Sequence, residues 1–170
     1  MVEDTAKAKL MITELSEFLR YSLMSGDLSE VTIKAELETI RNYLSIQKKR
    51  FEDKLDITFT IDPATENYSI FSFLLHPLVE NAIKYGMQTS PMPLKIKIGA
   101  EILDRTLEIT VSNTGKWIVQ SETDNSASTG TGLENIKARL DNSYPGRYNM
   151  KIFEDDGYVN VKIAIKFAER

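Results

Sequence analysis

The sequence predicts an α+β fold: a two-layer α/β sandwich with a mixed, largely antiparallel sheet, preceded by a helical segment. Three observations lead there. Alternating apolar runs come in pairs joined by short turns, stretches with apolar residues at threes and fours separate those pairs, and 42% hydrophobic residues over 170 positions supply one sizeable core. The order reads helix, helix, strand, helix, two strands, helix, two strands, without internal repeats, which suits helices packed on one face of a sheet.

The first helix covers about 5–23, where Leu10, Met11, Leu15, Phe18, Leu19 and Leu23 recur with helical spacing until "SGD" at 25–27 stops it. A second starts near Val31 and runs through Ile33, Leu37, Ile40, Tyr43, Leu44 and Gln47 to Phe51. Residues 1–52 thus form a helical segment whose apolar stripes serve bundle packing or a dimer surface, and 53–170 form the main domain. "DITFTI" at 56–61 alternates as a strand and ends at the turn Asp62-Pro63. After the helix "HPLVENAIKYG" at 76–86 come "LKIKIGAEI" and "TLEITVSN", a hairpin turning at Leu103-Asp104-Arg105. "QSETDNSASTGT" is almost devoid of apolar residues, and disorder is expected over roughly 121–129. "GLENIKARL" resumes helical spacing, and the last hairpin turns near Asp156-Gly157.

Composition removes several classes of function. A net charge of −4 with mixed signs leaves no basic stripe for nucleic acid. With no cysteine and one histidine there is neither disulfide nor thiolate or histidine-rich metal site, so any metal is a hard cation held by oxygen. No apolar run approaches the roughly 18 residues of a membrane span, and no export signal stands out, which predicts a cytoplasmic location.

The helix at 76–86 poses the chemical question. At about 100° per residue Leu75, Val79, Ala82 and Ile83 share a core-facing side, with Leu78 at its margin, while Glu80, Asn81, Lys84 and Tyr85 gather opposite. An ordinary Glu80–Lys84 pair explains part of this, whereas a carboxylate, an amide, an ammonium and a phenol together suit a binding face. Further on, Thr131 and Glu134 have capping-box spacing directly after Gly130-Thr131-Gly132, and a helix start of that kind offers free N–H groups to phosphate. A flexible loop before a capped helix accounts for the same residues. "VSNTG" at 111–115 ends a strand in an amide, a hydroxyl and a glycine; it is either a plain turn or an adenine contact through Asn113. His76 reads as structural or solvent-facing, and Trp117 as packing beside the polar loop.

Taken in order, these segments resemble the ATP-binding domain of LytS/YehU-type sensor histidine kinases, within the gyrase, heat-shock-protein-90, histidine-kinase and MutL (GHKL, or Bergerat-type) ATPase superfamily. "HPLVENAIKYG" resembles the N box, "VSNTG" the first glycine box, and "TGTGLENIKARL" with "YPG" the second, while "LSEFLRYSL" and "ELETIRNYLSIQKKRF" resemble the preceding helical segments. The resemblance implies ATP held between helices and sheet under a mobile lid, with Mg²⁺ on the Asn81 amide oxygen and Lys84 and Tyr85 at the phosphates. It further implies adenine at Asn113, close approach at Gly115, a phosphate wrap by Gly130, Thr131, Gly132 and Leu133, and Glu80 as the catalytic candidate. A response regulator is the implied partner, the full-length protein is expected to be a homodimer, and any membrane contact comes through upstream segments.

The chain departs from the family pattern at three places. Asn113 stands where aspartate is usual, Trp117 where a second glycine is often found, and Pro77 where ATP-hydrolysing relatives carry a water-activating glutamate. The family's phosphate-accepting histidine lies upstream of the motifs present here, so the chain is expected to be a catalytic fragment that does not autophosphorylate alone. Two other functions stay open: a nucleotide-poor scaffold for dimerisation or signalling, and a serine-directed anti-sigma-factor kinase, which fits the nucleotide motifs but not the front helices.

Overall fold

Period-two alternation is what builds the sheet. Leu94, Ile96, Ile98 and Ala100 on one strand, Leu107, Ile109 and Val111 on the next and Val159, Ile163 and Ile165 on the last are all buried, while Lys95, Lys97 and Glu101 between them are exposed. The computed structural model describes residues 30–118 and 131–167. Its elements are β1 (Glu30–Thr32), α1 (Ile33–Phe51), β2 (Leu55–Ile61), β3 (Ser69–Phe71), α2 (His76–Thr89), β4 (Leu94–Leu103), β5 (Thr106–Thr114), α3 (Thr131–Ser143), β6 (Tyr148–Asp155) and β7 (Tyr158–Lys166). The helix expected at about 5–23, Gly130 and the disorder expected over 121–129 lie outside the described residues.

The main sheet has five strands in the order β2-β4-β5-β7-β6. Only β2 and β4 run parallel, with Leu55 opposite Leu94, and the other three pairs are antiparallel. The parallel pair follows from sequence order, because α2 intervenes between β2 and β4 and returns the chain in the same direction. Both expected hairpins form, and their turns use left-handed backbone at Asp104, Arg105, Asp156 and Gly157.

The helices cover one face. Ile33, Leu37, Ile40 and Leu44 of α1, Leu78, Val79, Ala82 and Ile83 of α2, and Ile136 and Leu140 of α3 join a single core with the inward residues of the sheet. Thr32 caps α1 by accepting a hydrogen bond from the Ala35 N–H. The helix expected near Val31 therefore begins at Ile33, because the residues before it pair with β3, Val31 opposite Ile70. Three-residue pieces such as these carry no alternation long enough to betray a strand.

Candidate functional site

A cleft of about 300 Å³ opens where α2, the ends of β5 and β7, and the start of α3 meet. Its walls are mainly apolar, from Leu78, Ala82, Val111, Ile118, Leu133, Val159 and Val161, with Trp117 at its rim. Asn81, Tyr85, Asn113, Lys116 and Glu134 add the polar groups. An apolar pocket with a few convergent polar groups suits a flat ring carrying a polar tail.

Helix geometry decides what α2 presents. Leu78, Asn81, Ala82 and Tyr85 stand at i, i+3, i+4 and i+7 and form one stripe along the cleft. Glu80 and Lys84 precede Asn81 and Tyr85 by one residue, about 100° around the helix, so both are exposed and outside the lining. Lys84 Nζ lies 5.4 Å from the centre of the Tyr85 ring. The polar face expected from the sequence is thus divided between cleft and solvent.

Asn113 is 7% exposed and pairs across the sheet with Ile96 and Val159. Its Nδ2 donates to the Thr114 carbonyl at 2.9 Å, which uses one of the amide's two N–H donors and leaves Oδ1 as an acceptor for a ligand. The Tyr85 hydroxyl is buried and has no hydrogen-bond partner among the described residues, so a ligand or solvent in the cleft must satisfy it. Gly132 lies against Asn81, since a Cβ placed on it would sit 3.7 Å from Asn81 Nδ2. That brings the start of α3 beside the Asn81 amide. Leu133 lines the cleft, while Thr131 is the first residue of α3.

Gly115 is outside the lining, and its own geometry explains the residue. At φ +121° a side chain is strained, and a Cβ would run into the Thr89 hydroxyl at the end of α2. That hydroxyl donates to the Tyr85 carbonyl at 3.0 Å and accepts from the Lys116 N–H at 3.1 Å. Ser90 and Thr114 hydroxyls meet at 2.6 Å beside it. The strand end carrying Asn113 and the helix carrying Asn81 and Tyr85 are thereby stitched together.

The other end of α2 has no capping side chain of its own at Leu75. Glu36, on α1 and 1% exposed, supplies it from a distance: Oε1 accepts from the Leu75 N–H at 3.0 Å and Oε2 from the Phe73 N–H at 3.1 Å. Phe73 adopts φ 65°, a conformation that costs a non-glycine residue roughly 1–3 kcal/mol. Arg139 of α3 donates to the Ser72 carbonyl at 2.6 Å, and its guanidinium lies 4.3 Å from the centre of the Phe71 ring. His76, on the first turn, is buried between Phe73, with ring centres 4.7 Å apart, and Tyr43 of α1 at 4.6 Å. Burial lowers its pKa to about 4, so it is neutral in the folded protein at pH 7.

Sequence reasoning overlooked Val159 and Val161, which reach the cleft through their register with Asn113 and Val111. It also overlooked Glu36. The signal was present, an acid embedded in the apolar stripe Ile33, Leu37, Ile40.

Comparison with known proteins finds relatives that cover most of the chain. Residues 1–55 match the histidine kinase family model. The chain is 27% identical to the sensor protein LytS of Staphylococcus saprophyticus over 172 residues, 96% of this chain and 29% of that protein. It is 32% identical to the sensor histidine kinase YesM of Bacillus subtilis over 146 residues, 85% of this chain and 25% of that protein. It therefore spans between a quarter and a third of the length of these two relatives. Among solved structures, the catalytic domain of the histidine kinase ThkA superposes with a TM-score of 0.56 at 21% identity, covering 82% of this chain and 95% of that one. The chain is thus similar over most of its length to sensor histidine kinases of the LytS type, and it carries the fold of the histidine kinase catalytic domain.

Proposed function

We propose that this chain is the ATP-binding catalytic portion of a two-component sensor histidine kinase, passing the γ-phosphate of ATP to a histidine outside the chain for relay to a response regulator. The observation that carries the reading is the convergence of Asn81, Tyr85 and the Asn113 acceptor on one cleft, with Gly132 at the start of α3 beside Asn81. Asn113 Oδ1 accepts from the exocyclic amine of adenine between apolar walls. A guanine, which offers a carbonyl at that position, would meet an acceptor and is disfavoured.

Phosphate oxygens would lie toward Asn81 and the start of α3, where Thr131, Gly132 and Leu133 supply backbone N–H groups, and Gly130, outside the described residues, is added from the motif alone. Tyr85 donates its hydroxyl, and Lys84 reaches around the helix to offset phosphate charge. Glu80, exposed and next to Asn81 in the chain, is the candidate to take the proton of an accepting histidine. Gly115 holds the strand end close to α2. No group of three His, Cys, Asp or Glu side chains able to hold a metal occurs among the described residues. A cation here relies on phosphate oxygens, and the Asn81 amide oxygen suits Mg²⁺, which keeps most of its waters. When bound, Mg²⁺ neutralises phosphate charge.

A structure of the ThkA kinase with the response regulator TrrA superposes on 95% of this chain with a TM-score of 0.56. A response regulator is accordingly the proposed partner here. No described helix is long and apolar enough to cross a membrane. We assign 1–52 to the end of the dimerisation region and its connecting helix, 53–170 to the catalytic domain, homodimerisation and any membrane anchorage to upstream segments, and the domain itself to the cytoplasm.

Calorimetric titration with a non-hydrolysable ATP analogue, with and without Mg²⁺, tests the reading. Magnesium-dependent binding in the roughly 1 μM to 1 mM range is the expected result, with Asn81→Ala losing the magnesium dependence while retaining weaker, measurable binding through the adenine contacts. No binding by the wild-type chain would favour a signalling scaffold, the reading that the amide at Asn113 also suits.

A further inference from the structure

The two polar ends of α2 are held by different partners. Its C-terminal end is tied to β5, while its N-terminal end has no cap on its own chain segment and borrows one from α1. Glu36 is a fully buried acid, and both of its carboxyl oxygens are spent on backbone N–H groups 37 and 39 residues away. Ordinary packing at that position on α1 needs only an aliphatic side chain, as Ile33, Leu37 and Ile40 on the same stripe show. A carboxyl there must bring a specific geometry, because two N–H groups fix its position in a way that apolar contact does not.

Asn81 lies on α2 six residues beyond Leu75, about one and two-thirds turns and about 9 Å of helical rise. A helix is stiff over that distance, so a displacement or rotation of its first turn is carried to Asn81. Arg139 holds the preceding carbonyl, at Ser72, from α3, whose first residues border the same cleft. Thus α1, the entry to α2, and α3 meet at one short segment, 72–75.

We infer that Glu36 is a positioning residue for the nucleotide site: by capping α2 from α1 it sets where the Asn81 amide stands, and so makes the cleft responsive to the placement of α1. This rests on the nucleotide reading above. Because β1 and α1 follow the N-terminal part of the chain, a shift of that part can be felt at Asn81 through this contact.

Glu36→Gln in the full chain is the test, since glutamine keeps the volume and one acceptor oxygen but turns an N–H₂ toward a backbone donor. Binding of adenylyl imidodiphosphate with Mg²⁺ is measured for wild type, Glu36→Gln, Asn81→Ala and the double variant. The expected result is a loss of roughly fivefold in affinity for Glu36→Gln that disappears in the Asn81→Ala background. Equal affinity of Glu36→Gln and wild type, or the same fivefold loss with and without Asn81, would overturn the inference, because general loosening acts in both backgrounds. The Asn81 side-chain amide resonance without nucleotide supplies a second readout. If the wild type binds no nucleotide, the functional reading fails, while a shifted Asn81 resonance in Glu36→Gln still supports the coupling and an unmoved one refutes it.

Discussion

Single residues in this protein are chosen by surroundings that lie far away in sequence. His76 shows this. No acidic or metal-binding residue stands within three positions of it in the chain, and the structure packs it between Phe73 and Tyr43 with its pKa lowered to about 4 by burial. The unfolded chain has the ordinary value near 6.5, so between the two values the unfolded state binds the extra proton. The His76 contribution is therefore present above pH 6.5 and is lost as pH falls toward 4. Denaturant titration should find the wild type losing roughly 2–3 kcal/mol more than His76→Phe between pH 7 and pH 4.5. Parallel losses in the two proteins would contradict the burial of a neutral imidazole. Gly115 has the same lesson: a glycine box reads as room for a ligand, yet φ +121° and the Thr89 hydroxyl already demand glycine there.

At the level of elements, α2 does two jobs on two stripes. Val79, Ala82, Ile83 and Gly86 are buried toward the sheet, and Leu78, Asn81, Ala82 and Tyr85 border the cleft. Gly86 belongs to the buried stripe for a steric reason, since a Cβ would stand 2.5 Å from Leu94 Cδ1 and 3.2 Å from Asn113 Nδ2. Gly→Ala in an exposed helix is usually stabilising by about 1 kcal/mol. Here Gly86→Ala should instead destabilise by roughly 1–3 kcal/mol, as overpacked cores do, measured by urea titration. A gain in stability would mean that helix and strand are less tightly apposed than they stand. Periodicity found this helix and its greasy side from the sequence. Which polar residues face the cleft depended on the rotation of the helix against β5, and that is fixed by Gly86 and the Thr89 and Ser90 hydroxyls at its far end.

Across the whole molecule, α1 shares its core with the sheet, although the sequence groups it with the helical segment before residue 53. Ile40 is 0% exposed and lies in the cluster that includes Leu55, Leu94 and Ile98. Ile40→Ala should cost about 2–5 kcal/mol. The loss should appear in one cooperative transition, with helical circular dichroism and the fluorescence of Trp117, the single tryptophan, moving together. An early, separate loss of helix would show that α1 folds on its own. The α+β class, the two hairpins and the three helices of the sandwich followed from the sequence alone, because side-chain periods of two and 3.6 are local properties written along the chain. So did the ordered set of motifs that carries the family resemblance. Tertiary structure alone decided that Asn81 and Tyr85 enter the cleft while Glu80 and Lys84 do not, that Val159 and Val161 join them, and that Glu36 caps a helix far along the chain. Each of these depends on strand register and on the rotation of one packed element against another. Long-range packing sets both, and no local period contains them.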